Sequence, residues 1–204
     1  RNGTVQGNQS QLAWKKELVY LRTTVDAKID NLTVKDGNSM GINIVNSVNA
    51  LVTDVTVKNL RDDTTQGYLG YGVHSAMSVG TTVIGLYAEK IRHATDNNSV
   101  GVTPNHPDIS KYGADIGFVV KEAVTHNATA FAYTWHSEGR NSVLENVISV
   151  DSHGFLGVRG VGNSIKNGLS VDDTRGLQFM EYGYGDSRNT TIDNITIRGA
   201  DLYI

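Results

Sequence analysis

At 204 residues the chain is long enough for one sizeable hydrophobic core, and nothing requires a second domain, so 1–204 is read as one unit. A formal net charge of −3 removes the basic footprint that nucleic-acid binding needs, and the lack of cysteine excludes disulfides and thiolate metal sites. Hydrophobic residues make up 39% and charged residues 19%, with 22 glycines and 2 prolines, a mixture that suits short strands and tight turns better than helices.

In chain order, Arg1-Asn-Gly-Thr-Val-Gln-Gly-Asn8 reads as a strand and a turn. Leu12 to Leu21 (LAWKKELVYL) has helical spacing through Leu12, Lys15/Lys16 and Val19, but its β-prone end equally fits a loop leading into a strand. From Lys28 onwards one phrase recurs. It is seen as Ile29-Asp-Asn-Leu-Thr-Val34, Val52-Thr-Asp-Val-Thr-Val57, Ile84-Gly-Leu-Tyr-Ala88 and Val120-Lys-Glu-Ala-Val-Thr125. It continues as Leu144-Glu-Asn-Val-Ile-Ser149, Ile165-Lys-Asn-Gly-Leu-Ser170 and Ile192-Asp-Asn-Ile-Thr-Ile197, the starts falling 21 to 36 residues apart. Apolar and polar residues alternate with period two, which excludes a helical solenoid.

Each repeat then has a second strand-like piece, such as Met40-Gly-Ile-Asn-Ile44, Gly72-Val-His74 or Gly176-Leu-Gln-Phe179. Repeats of this length with Asn and Gly corners predict an all-β, right-handed parallel β-helix of about seven coils. Columns of Val, Ile and Leu would fill it, and Asn31, Asn146, Asn167 and Asn194 would form an amide ladder at its corners. Two repeats carry insertions, Arg61 to Tyr71 and Asp96 to Gly113, and solenoid insertions gather on one face, often the binding face. No apolar run approaches the ~20 residues of a membrane span, so no membrane insertion is expected. The chain starts at Arg1 without Met and stops at Ile204 inside a strand-like phrase, and is expected to be part of a longer protein.

Reactive side chains concentrate between Val120 and Gly160. Parallel stacking sets equivalent positions about 4.8 Å apart, which makes Asp151 and Asp172 neighbours. Two carboxyls about 5 to 9.5 Å apart suit glycoside hydrolysis, while the structural alternative is a pair of solvated corner residues in Asx turns. A second group is Trp135, His136, Glu138 and Arg140, with His153 and Arg159 one coil later. Aromatic rings stack on sugar faces while His, Glu and Arg bond hydroxyls, and a Trp135 turned inward would leave His136 and Glu138 outward. Glu138 and His136 join the two aspartates as acid/base candidates, and Arg159 suits a sugar carboxylate. Arg92 and His93 point to opposite faces of one strand, so one of them can reach the same groove. His74 and His106 stand isolated and are expected at the surface, and Glu181-Tyr-Gly-Tyr-Gly-Asp186 would make a contact loop. Without a His-x-x-x-His spacing, and with Asp62-Asp63 and Asp172-Asp173 only permitting calcium, no metal or cofactor is expected.

Gly3-Thr-Val-Gln-Gly-Asn8, Arg92-His93-Ala94-Thr95, Thr134-Trp-His-Ser-Glu138 and Gly154-Phe-x-x-x-Arg159-Gly160 together resemble the pectate-lyase-like β-helix superfamily, most of all its phage tailspikes. The resemblance implies a host cell-surface polysaccharide as partner, its depolymerisation by glycosidic cleavage or β-elimination, a homotrimer, and a virion or extracellular location. It also admits a non-catalytic adhesin, or a bacterial polysaccharide lyase or epimerase. Ser152-His153-Gly154 is similar to the Gly-His-Gly turn of polygalacturonase-type hydrolases, and Asp172-Asp173 to their Asp-Asp turn. The order of these two is reversed and the remaining turns are missing, so that active site does not carry over.

Overall fold

The structure, a computed structural model, describes residues 2–10, 17–66, 69–98, 113–136, 139–180 and 187–203. The first strands are β1 (Gly3–Gln6), β2 (Val19–Arg22), β3 (Lys28–Asp30), β4 (Leu32–Lys35), β5 (Ile42–Val45), β6 (Leu51–Lys58) and β7 (Tyr71–Ala76). Next come β8 (Thr82–Glu89), β9 (His93–Asn98), β10 (Asp115–Ile116), β11 (Val119–His126), β12 (Phe131–Trp135) and β13 (Gly139–Arg140). The last are β14 (Val143–Val150), β15 (Gly154–Val158), β16 (Ser164–Val171), β17 (Arg175–Phe179), β18 (Thr191–Arg198) and β19 (Asp201–Tyr203). Among the described residues the one helical element is a 3-10 turn at Thr64–Gln66. Val19–Arg22 is strand, residues 17 and 18 are not helical, and 12–16 of the expected helix lie outside the described residues.

Among the described residues all pairing is parallel, and the strands fall into two large sheets as the chain coils, with β10 and β13 pairing in a third, two-stranded one. The seven recurring phrases all lie in the first sheet, in the order β1-β4-β6-β8-β11-β14-β16-β18, with β3 also on β6. The shorter second pieces make the other sheet, β2-β5-β7-β9-β12-β15-β17-β19 in space. The columns predicted from sequence line the interior. Val52, Val83, Val120, Leu144 and Ile165 stack on consecutive rungs, each 0 or 1% exposed. At about 1.5–3 kcal/mol per buried aliphatic side chain, such columns are what offsets the entropy of ordering each coil.

The asparagine ladder exists in part, for Asn146, Asn167 and Asn194 and away from the corners, while Asn31 donates to Asn2 instead. Asn31, Asn146, Asn167 and Asn194 have φ between 48 and 56° and sit within the length of the first-sheet strands or, for Asn31, between β3 and β4. Each adds one left-handed residue, which shifts the alternation, so that β14 buries Leu144, then Val147 and Ser149. Asn167 Nδ2 donates to Asn146 Oδ1 at 2.9 Å, and Asn194 Nδ2 to Asn167 Oδ1 at 2.8 Å. The true corner follows each strand and has its own left-handed row: Asp36, Asn59, Lys90, Asn127, Asp151 and Asp172. Asn and Asp tolerate this conformation best after glycine, which accounts for the sequence's wealth of them.

Candidate functional site

The outer face of the second sheet carries polar residues in register. Asn43 lies beside His74, His74 beside Asp96, Asp96 beside Thr134, and Thr134 beside Gly157. A groove of about 280 Å³ opens next to this column. Five of the nine site residues expected from sequence line it: Arg92, His93, His136, His153 and Arg159. Tyr71, Phe131, Thr134 and Met180 complete most of its wall. Its floor depends on two glycines, since a Cβ on Gly154 would lie 2.5 Å from the Phe131 ring and one on Gly157 2.5 Å from Met180.

The remaining expectations fall elsewhere. Trp135 is 1% exposed and packs in the core, because strand alternation turns it inward as it leaves Thr134 on the groove side. It cannot stack on a sugar. Asp151 and Asp172 occupy the left-handed corner row, with φ of 51 and 54°, on the rungs joined by Val150 and Val171. They are neighbours as expected, but corner residues that do not line the groove. Glu138 lies outside the described residues, as do His106, 99–112 of the second insertion, and 181–186. His74 is a correction: it is 4% exposed and part of a polar row, not an isolated surface residue. Asp96, taken for the start of an insertion, is in β9 and 0% exposed.

Asp96 lies between two imidazoles, with Oδ1 3.0 Å from His136 Nε2 and Oδ2 3.6 Å from His74 Nε2. Burial favours the neutral form of both rings, lowering the His74 pKa to about 4 and that of His136 well below 6.5. His93 is also neutral, lowered to about 3 by burial, although its Nδ1 donates to the Phe131 carbonyl at 2.5 Å. Tyr71 packs against His93 and His74, with ring centroids 5.0 and 5.8 Å away. Burial and Asp96 hold its hydroxyl protonated beyond the ordinary phenol range.

Two cations face these neutral groups. Arg159 is fixed by bonds from Nε to the Trp135 carbonyl at 3.1 Å and from an Nη to Thr134 Oγ1 at 3.2 Å. Arg92 is held by Asp62, whose two oxygens lie 3.1 and 3.3 Å from one Nη and which also accepts from Thr129. Asp62 comes from the first insertion, so that insertion does reach the groove face. No group of three or more potential metal ligands is found among the described residues. Sequence reasoning missed Tyr71, His74 and Asp96. The one available signal was the alignment of Gly41-Ile-Asn43 with Gly72-Val-His74, which puts Asn43 and His74 on one column.

A groove on the outside of stacked parallel coils defines a right-handed parallel β-helix with a polar face, and solved structures of that fold match the chain. The tailspike protein of Pseudomonas phage LKA1 matches at 15% identity and TM-score 0.60, over 96% of this chain and 30% of that one. The polygalacturonase of Erwinia carotovora matches at 8% and 0.63, over 92% and 58%, and an alginate lyase of Paenibacillus at 11% and 0.55, over 98% and 97%. The chain thus spans less than a third of that tailspike and over half of that polygalacturonase. No protein-family model and no curated protein sequence matches it.

Proposed function

We propose that this β-helix binds an acidic cell-surface polysaccharide in the second-sheet groove and cleaves it by β-elimination. The observation that carries the reading is the neutral His136, backed by buried Asp96, on a groove wall shared with the fixed guanidinium of Arg159. Arg159 holds the uronate carboxylate and acidifies the hydrogen on the adjacent ring carbon. His136 removes that proton, the electron pair forms the new carbon–carbon double bond, and the glycosidic oxygen leaves with a proton from the Tyr71 hydroxyl. Depression of the His136 pKa keeps it unprotonated, and the substrate's negative charge beside it restores basicity. His93, His153 and Arg92 line the same groove as binding residues.

The tailspike, polygalacturonase and alginate lyase matches support a glycan as ligand through the shared fold. The corner position of Asp151 and Asp172 removes support for a hydrolase that uses them as its carboxyl pair. A virion or extracellular setting and a homotrimer belong to the same proposal. Among the described residues no helix is long and apolar enough to cross a membrane. Light scattering on the purified chain tests the trimer.

The decisive experiment incubates the protein with alginate, polygalacturonate and bacterial capsular polysaccharides while reading unsaturated-uronate absorbance and reducing ends together. Both signals should appear, and His136→Gln should lower the rate by about 10²–10⁴-fold. Reducing ends without absorbance would indicate hydrolysis and refute the elimination. Binding without either signal would reduce the groove to an adhesin's.

A further inference from the structure

Where the early coils leave the second sheet, a polar side chain on one rung holds the backbone of the rung before it. Ser47 Oγ accepts from Thr24 N at 3.2 Å, Ser78 Oγ from Ser47 N at 3.1 Å, and Asp115 Oδ2 from Ser78 N at 3.1 Å. These three residues stand one position before the bridged Val48, Val79 and Ile116. Gly139, the register partner of Asp115, continues the row, and Gly160, just before the bridged Val161, follows on the next rung. The row therefore loses its side chains in the two turns that carry His136 and Arg159 into the groove.

Two buried amides take up that space. A Cβ on Gly139 would lie 2.6 Å from Asn97 Nδ2, and one on Gly160 would meet the Gly139 carbonyl at 2.4 Å and Asn163 Nδ2 at 2.9 Å. Asn97 and Asn163 are both 0% exposed. His136 N donates to Asn97 Oδ1 at 3.2 Å and to the Asn97 carbonyl at 3.2 Å. A backbone N–H only donates, so the amide oxygen is the atom beside it. Asn97 Nδ2 is left for Ser142 Oγ, 2.7 Å away, and for the Asp115 carboxyl. Asn163 Oδ1 accepts from Ser142 N at 2.8 Å, and its Nδ2 donates to the Arg159 carbonyl at 2.8 Å.

The serines of the early coils reach only two residues back, Ser47 Oγ to the Val45 carbonyl and Ser78 Oγ to that of Ala76. Asn163 reaches four residues back, which a hydroxyl is too short to do. Packing alone would be served by apolar side chains, since a buried amide is tolerated only when hydrogen-bonded. We infer that Asn97 and Asn163 are positioning residues, which from inside the coil fix the backbone points where His136 and Arg159 project into the groove. This rests on the reading of His136 as the groove's base and Arg159 as its carboxylate holder, and each asparagine serves one of them.

Nitrogen-15 NMR of the whole chain, reading the His136 imidazole and the Arg159 Nε–H, tests the two amides separately. Asn97→Leu should shift the His136 signals more than those of Arg159. Asn163→Leu should do the opposite, and should speed hydrogen exchange at Arg159 Nε by about two- to tenfold. Asn97→Ser and Asn163→Ser keep a hydroxyl too short to reach, and should give the same selective pattern where a leucine variant does not fold. Equal disturbance of both sites by either substitution, or of neither site by both, overturns the inference. In the cleavage assay Asn97→Ser should lower kcat about tenfold with KM little changed, and Asn163→Ser should raise KM by about as much. Selective NMR changes without any cleavage keep the positioning and discard the chemistry, whereas cleavage with unselective changes does the reverse.

Discussion

At the scale of single residues, the ionisable groups that face no water decide how this protein answers pH. Asp115 is 1% exposed, and its Oδ2 accepts from Ser75 Oγ at 2.8 Å and Ser78 N at 3.1 Å. Burial outweighs those bonds and pushes its pKa up to about 7. A carboxyl raised from 3.8 to about 7 contributes stability that is fully present below 3.8 and lost as pH rises through about 7, on the order of 4 kcal/mol. His74 and His93, lowered to about 4 and 3, act with the opposite sign: their contribution is present above 6.5 and lost as pH falls through those values. Asp115→Asn keeps an oxygen for Ser75 and Ser78 without the charge. Its melting temperature should exceed that of the wild type near about pH 8 and converge with it near about pH 4. A difference of the same size at both ends would show that Asp115 is not the titrating group.

At the scale of strands, one left-handed residue in each of β6, β8, β11, β14, β16 and β18 sets the bend. Asn167, φ 55°, both donates to Asn146 and accepts from Asn194. Asn167→Gly keeps the backbone and removes the ladder bonds, and should cost roughly 1 kcal/mol in urea unfolding. Asn167→Ala adds the left-handed penalty, about 1 kcal/mol more. Equal losses would mean that the bend does not need a residue suited to that conformation. The sequence made the first sheet legible because its phrases repeat residue for residue: Ile165-Lys-Asn-Gly-Leu-Ser170 aligns with Leu144-Glu-Asn-Val-Ile-Ser149 as it does in register. It hid the bend, because a one-residue shift in alternation reads as noise in a period-two pattern. It hid part of the groove for a related reason. The second-sheet pieces are short and unlike one another, so Ile-Asn43-Ile, Val-His74-Ser and Thr-Asp96-Asn do not announce a shared column. His136 and Arg159 were found from residue type near a repeated phrase, whereas pairing Asp96 with His136 requires knowing that β9 lies beside β12.

Across the whole molecule, stability is distributed along one axis, since each coil touches only the coils before and after it. A strand such as β11 is bonded on both sides, by β8 and β14, whereas among the described residues β1 and β18 each have one neighbour in their sheet. Burial follows: Ile165 in β16 is 0% exposed and its register partner Ile192 in β18 is 42% exposed. Opening an end coil breaks one interface, while opening a central coil breaks two, so the central coils should open only with the rest. The groove residues from Tyr71 to Arg159 stand on the central rungs, where backbone positions are held best. Amide hydrogen exchange followed by mass spectrometry should therefore show slowest exchange in β8, β11 and β14 and fastest in β1, β2 and β18. Lowering the pH from about 7 to about 5 should narrow the difference between central and terminal coils, because the buried imidazoles of His74, His93 and His136 resist protonation in the folded coils. Uniform protection along the chain at both pH values would mean that the coils unfold as one unit, and that the groove gains nothing from its central position.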